Sequence, residues 1–159
     1  MARTRRNIVV GGAAIVVGGV LIYFGTKAVV KMIEKMRERQ RSRDLVKQYE
    51  NELDAAMKTE PLTYPASEYT AMANRLVIAF NDCGTVEQTV YSVFDKIKNN
   101  ADILKLKAVW GTRKWDGCLL AGEWDRVGTL DEAMTDELRA SELAKVNNKL
   151  IQKGIMYTF

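Results

Sequence analysis

The chain has 159 residues and no histidine, so the side chains able to do chemistry are two cysteines and a scatter of acids and bases. The missing histidine removes the commonest general base and the commonest zinc ligand. Cys83 and Cys118 show no metal-ligand spacing, which leaves two readings: buried free thiols, or a single disulfide in an oxidising compartment. Asp116, Glu123 and Asp125 cluster in GTRKWDGCLLAGEWDRVG (111–128) beside Trp115 and Trp124. Paired carboxylates are the apparatus of glycoside or peptidoglycan cleavage, so a membrane-tethered hydrolase is one reading. Acids in a polar loop more often cap helices or stay solvated, and no enzyme and no catalytic residue is expected. The bases are more concentrated. Lys27, Lys31, Lys35, Arg37, Arg39, Arg41 and Arg43 form a run suited to anionic lipid headgroups, at about 1 kcal/mol each, or to the phosphates of nucleic acid.

The element that positions this run is the apolar stretch before it. Ile8 to Gly25, IVVGGAAIVVGGVLIYFG, is eighteen residues without a charge. As a helix it is about 27 Å long, close to the roughly 30 Å of a bilayer's hydrocarbon core, and a single membrane span is expected. A signal peptide competes, because Arg3, Arg5 and Arg6 make a basic leader, but Tyr23-Phe24-Gly25-Thr26-Lys27 offers no small-residue cleavage site. A buried core helix fits less well, since the run is apolar all round. Gly11, Ala14, Gly18 and Gly25 share one stripe, a face on which a second helix, including that of a second copy, can approach closely in lipid. The basic residues after the span outnumber those before it, which predicts an inside location for the C-terminal region and favours free thiols.

Charge divides along the same line. Residues 1–59 hold 12 Lys+Arg against 6 Asp+Glu, a net of +6, and residues 60–159 hold 12 against 14, a net of −2. Residues 31–58 read as a basic helical stalk, with Val29, Met32, Ile33 and Met36 and then Val46, Tyr49, Leu53 and Ala56 at helical spacing. Between those stripes Arg37 to Asp44 is polar all round, a soft point in a stalk of up to about 50 Å. Pro61 and Pro65 make residues 59–66 a hinge and a domain boundary.

Residues 67–159 then read as a bundle of about five short helices, so the fold class is all-α. Ser67 is a candidate cap for a helix with Tyr69, Met72, Ala73, Leu76 and Phe80 inward. Thr85-Val86-Glu87-Gln88 reads as a capping box before Val90, Val93, Phe94 and Ile97. Asn99-Asn100 turns the chain, and Ile103, Leu106, Ala108 and Trp110 make a third short helix that Gly111 stops. The segment 111–128 reads as one long irregular loop. Thr129-Leu130-Asp131-Glu132 is another capping box, and Ser141 a candidate cap for a last helix ended by Gly154, with Ile155 packed on Leu150 and residues 156–159 as an extended tail.

From about Leu76 to Ile155 this order of elements, with the words AFNDCGTVEQTVYSVF and TLDEAMTDEL, resembles one annexin repeat, and is similar to small annexin-like segments in proteins of flavobacteria and their phages. The resemblance implies a calcium site made by a glycine-threonine loop and a distant acid. Gly84 and Thr85 match, Asp82 stands where the family has a glycine, and the distant position falls on Thr129, with Asp131 two residues on. A hard cation needs six to eight oxygens, which Asp82, Glu87, Glu123, Asp125 or Asp131 could only partly supply. No other cofactor is expected.

The expected protein is therefore a non-enzymatic, single-pass membrane scaffold that holds a small helical domain near a bilayer, where it binds another protein. The phage resemblance implies a lipid-containing virion, with the domain linking internal membrane to capsid or the stalk facing nucleic acid. The alternatives are a calcium-dependent phospholipid-binding module and the tethered hydrolase.

Overall fold

The structure is a computed structural model, and it describes residues 19–81, 84–116 and 125–159. These residues are mostly helical, with six helices and one hairpin among them. Helix α1 covers Gly19–Ala56 and runs uninterrupted through the polar stretch 37–44. No helix of the described residues is long and apolar enough to cross a membrane. The expected span Ile8–Gly25 lies outside them through residue 18, and so do Gly11, Ala14 and Gly18.

The chain divides into two compact units, Met1–Met36 and Arg37–Phe159. In the first, the helix exposes Val29, Val30, Met32, Ile33 and Met36 beside Lys31 and Lys35. The second begins at Arg37 rather than at the prolines where a boundary was expected. The reason is apolar burial: Tyr49 and Leu53 of α1 close against Ala101 and Leu104.

The segment 59–66 is a corner stitched by hydrogen bonds. It leads into α2 (Ala66–Phe80), α3 (Glu87–Lys96) and α4 (Asn100–Trp110). Asn99 caps α4 by accepting from the Asp102 N–H at 2.8 Å. The Glu60 carboxylate takes the next free donor, Asn100 N–H, at 2.7 Å, and Pro61 O accepts from Asn99 Nδ2 at 2.9 Å. Buried Asp102 completes the seam by accepting from Thr63 N–H (2.9 Å), Lys98 N–H (3.0 Å) and the Tyr69 hydroxyl. A buried carboxylate is tolerated because its oxygens are fully supplied with donors.

The long loop expected at 111–128 contains a hairpin. Strands β1 (Arg113–Asp116) and β2 (Asp125–Gly128) pair antiparallel, with Trp115 opposite Arg126 and Lys114 opposite Val127. The fold is thus helical with a small two-stranded sheet. Alternation drives it, because Trp115 is buried at 2% exposure while Lys114 and Asp116 face solvent. Three caps also differ from expectation. Helix α2 starts before Ser67, at Pro65, whose fixed φ of −67° suits a helix entry. Helix α3 starts after Val86 with no side-chain cap, because the Thr85 hydroxyl donates instead to Glu137 O at 2.9 Å.

Helix α5 (Leu130–Glu137) opens on the expected capping box, with Thr129 N–H donating to Glu132 Oε2 at 2.6 Å. Helix α6 (Ala140–Gln152) starts two residues early for a Ser141 cap, and the Glu142 carboxylate accepts from Arg139 N–H at 2.8 Å. Its C-terminus is a Schellman turn: Ile155 N–H reaches Leu150 O (3.0 Å), Gly154 N–H reaches Ile151 O (2.9 Å), and Gly154 has φ +74°. The tail docks as expected, with Asn147 exchanging two hydrogen bonds with the Phe159 main chain and the Phe159 ring set edge-on to Phe94 at 5.3 Å.

The hairpin's last residue makes this arrangement testable. A Cβ on Gly128 would lie 2.5 Å from Glu132 Oε2, the oxygen that closes the α5 capping box. Gly128→Ala is therefore expected to swing Glu132 away and lower stability by about 1 kcal/mol, the usual worth of an N-terminal cap. Thermal unfolding of Gly128→Ala beside Glu132→Ala tests this, since the two losses should coincide and the double variant should add little.

Candidate interaction surface

Two kinds of polar group occupy the unit Arg37–Phe159, those that join its elements and those that face outward. The central joint is Lys107 on α4, whose side chain is only 4% exposed. Its Nζ donates to Asp131 Oδ1 at 2.8 Å and lies 4.5 Å from the Phe159 ring centroid and 5.4 Å from that of Tyr49. The Tyr49 hydroxyl donates to the other oxygen of Asp131. Cation–π contact and ion pairing together satisfy a buried ammonium. A second lysine, Lys153, donates to the carbonyls of Phe94 (2.9 Å), Asp95 (2.9 Å) and Ile97 (2.8 Å), groups that the end of α3 leaves open. Burial, and then the nearby Lys98, hold its pKa below the ordinary lysine range.

Among the calcium candidates, Asp131 is thus spent on Tyr49 and Lys107. Gly84 has φ +110°, the Thr85 hydroxyl is given to Glu137, and Asp82 lies outside the described residues. Among the described residues no group of three or more His, Cys, Asp or Glu side chains is placed to hold a metal ion. Of the residues read as a carboxylate pair, Asp116 is exposed and its N–H donates to Asn81 Oδ1 at 3.2 Å. Glu123, Trp124, Cys83 and Cys118 lie outside the described residues. Trp115 is not a loop aromatic: its Nε1 donates to Glu137 Oε1 at 2.9 Å from inside the core.

The same joints carry an alkaline sensitivity. Burial first, then the hydrogen bond and charge of Asp131, push the Tyr49 pKa above the ordinary tyrosine range, and burial followed by Asp102 does the same to Tyr69. An unfolded tyrosine loses its proton near pH ~10 while these two keep theirs, so their stability is fully present below about pH 10 and drains away as pH rises past it. Tyr49→Phe and Tyr69→Phe are each expected to flatten that decline. Urea midpoints taken at steps from about pH 9 to about pH 11 measure it, and a variant slope equal to the parent's would refute the assignment.

The outward groups are of two sorts. Arg37, Arg39, Arg41 and Arg43 are all exposed on α1, as the basic-contact reading requires, while Ser42 between them is buried and donates to Glu38 O at 3.1 Å. Lys27 and Gly25 fall within α1. Another surface feature is a groove between α2 and β1, about 420 Å³, lined by Asn74, Val77, Ile78, Arg113 and Lys114. Sequence reading did not find it, because it pairs residues 39 apart, with Arg113 Nη1 donating to Asn74 Oδ1 at 2.6 Å. The only local hint is Ile78, an isoleucine on the polar side of an amphipathic helix, which is 69% exposed.

Comparison with protein-family models, with curated proteins and with solved structures returns no match.

Proposed function

We propose that this chain is a non-enzymatic, single-pass membrane scaffold whose unit Arg37–Phe159 binds another protein. The observation that carries this reading is the charge-free run Ile8–Gly25 followed directly by exposed bases, Lys31 and Lys35 in the first unit and Arg37, Arg39, Arg41 and Arg43 in the second. Eighteen uncharged apolar residues match a bilayer's core, and bases at its edge suit anionic headgroups. Support for a binding rather than a catalytic role comes from how the polar side chains are used. Asp102, Lys107, Asp131 and Lys153 are each committed to joining elements, which is what a rigid platform needs.

Flotation of the full chain with liposomes of phosphatidylcholine and phosphatidylserine tests the proposal. The chain is expected to float at high salt and in chelator alike. A Val16→Asp/Val17→Asp variant is expected to stay behind, because each central aspartate costs about 2.5–3.5 kcal/mol on insertion. Flotation that needs Ca²⁺ would favour the annexin-type lipid module instead. Flotation abolished by salt would reduce the membrane contact to the basic run alone.

The virion reading adds a partner to the same architecture: a capsid protein held by the unit Arg37–Phe159. It is supported by the sequence resemblance described above, and it predicts co-purification of the chain with lipid-containing particles.

A further inference from the structure

The groove between α2 and β1 combines an apolar wall with one guanidinium that no carboxylate of the described residues pairs with. Val77 is half-buried and Ile78 is exposed along the α2 side. On the β1 side the Arg113 guanidinium donates to three acceptors: Trp110 O from Nε at 3.2 Å, Val109 O from Nη2 at 3.3 Å, and Asn74 Oδ1 from Nη1 at 2.6 Å. All three are neutral. The ion pairs among the described residues join other side chains, so Arg113, which also lies 5.9 Å from the Trp110 ring centroid, is held in place by neutral groups with no carboxylate among the described residues paired to it. Burial disfavours its charge, as the lowered pKa of Arg113 reflects, yet an arginine keeps its proton. Because Asn74 is bound through Oδ1, its amide presents both N–H bonds away from Arg113, on an exposed residue at the groove's rim.

We propose that this groove docks a short acidic–apolar segment of a partner protein, with a carboxylate meeting Arg113 and the Asn74 amide and neighbouring apolar side chains covering Val77 and Ile78. The inference rests on the reading of this unit as a protein-binding module and names the chemistry of its partner. The commitment to a peptide follows from charge and shape. A membrane surface recruits several cations on a plane, whereas the groove sets Arg113, paired with no carboxylate of the described residues, beside an apolar wall. A segment carrying one acid between apolar residues fills that arrangement, and polar groups inside an apolar site are what fix orientation and specificity.

The test uses the full chain with a photoreactive benzoylphenylalanine in place of exposed Ile78, irradiated with biotinylated short peptides that alternate leucine with glutamate, glutamine or lysine. The glutamate peptide is expected to crosslink about tenfold more than the glutamine peptide, equivalent to about 1.4 kcal/mol. Asn74→Asp leaves an acceptor for Nη1 but supplies the missing negative charge, so it is expected to erase the preference. Arg113→Gln is expected to do the same, and Asn74→Asp keeps the test decisive if Arg113→Gln does not fold. Equal crosslinking of glutamate and glutamine peptides, or a preference that survives Asn74→Asp, overturns the proposal. So does labelling of phosphatidylserine in place of peptide when both are present. Crosslinking is run with and without lipid, so a failed anchor and a failed groove give different results.

Discussion

Trp110→Ala is expected to lower the free energy of unfolding by about 3–5 kcal/mol, the range for emptying the site of a large aromatic in a core. Trp110 is 1% exposed and meets Phe80 edge-on at 6.0 Å and Trp115 at 6.3 Å between ring centroids. Its Nε1 also donates to Gly128 O at 3.1 Å, so truncation removes a side chain that ties α2, the hairpin and the approach to α5 together. Against a total of about 5–15 kcal/mol for a domain, such a loss leaves little. Urea unfolding followed by circular dichroism measures it independently of tryptophan fluorescence. Trp110→Phe should recover most of the packing and forfeit mainly the hydrogen bond, about 1 kcal/mol. A loss below about 1 kcal/mol for Trp110→Ala would mean that this ring is not the centre of the core.

Asp131→Ala should be nearly as damaging, at about 3–5 kcal/mol, because it leaves the Lys107 ammonium buried without its counterion. The prediction separates breaking the pair from replacing it. Lys107→Met and Asp131→Leu, combined with Tyr49→Phe to remove the hydroxyl that donates to Asp131, retire the whole polar cluster and are expected to lie within about 1–2 kcal/mol of the parent, since apolar groups of similar volume avoid the desolvation cost. The same cycle bears on calcium. If Asp131 were a ligand, Ca²⁺ would stabilise the parent protein and leave Asp131→Ala unaffected. If it serves only Tyr49 and Lys107, Ca²⁺ leaves both melting temperatures where they are.

What could be read from the sequence was what is decided locally. The Thr129–Glu132 capping box and the Gly154 turn each involve partners within a few residues, and both occur where expected. The inward stripe Tyr69, Met72, Ala73, Leu76 and Phe80 is buried as its spacing requires. The hairpin was missed because each strand has four residues and carries a single large apolar side chain, too little for a period of two to stand out. Ser67 and Ser141 had the right chemistry for caps, but Pro65 and Arg139 each took the cap position two residues earlier. The candidate surface was less legible still. Asp131 finds Lys107 24 residues away and Tyr49 82 residues away, so its part as a joint is set by tertiary structure.

The seam around Asp102 also bears on the order in which the unit folds. Asp102 collects a donor 39 residues distant from Thr63 and another 33 residues distant from Tyr69, and Glu60 reaches Asn100 across 40. Each of those loops must be closed before its hydrogen bond returns anything, whereas α2, α3 and α4 each gain from contacts within a single turn. Residues 60–64 therefore have only short-range ties, Glu60 N–H to Ala56 O and Tyr64 to Tyr69, until the start of α4 has been brought to α2. Their ordering belongs to the late side of the folding barrier, so substitutions there should speed unfolding while leaving the refolding rate almost untouched.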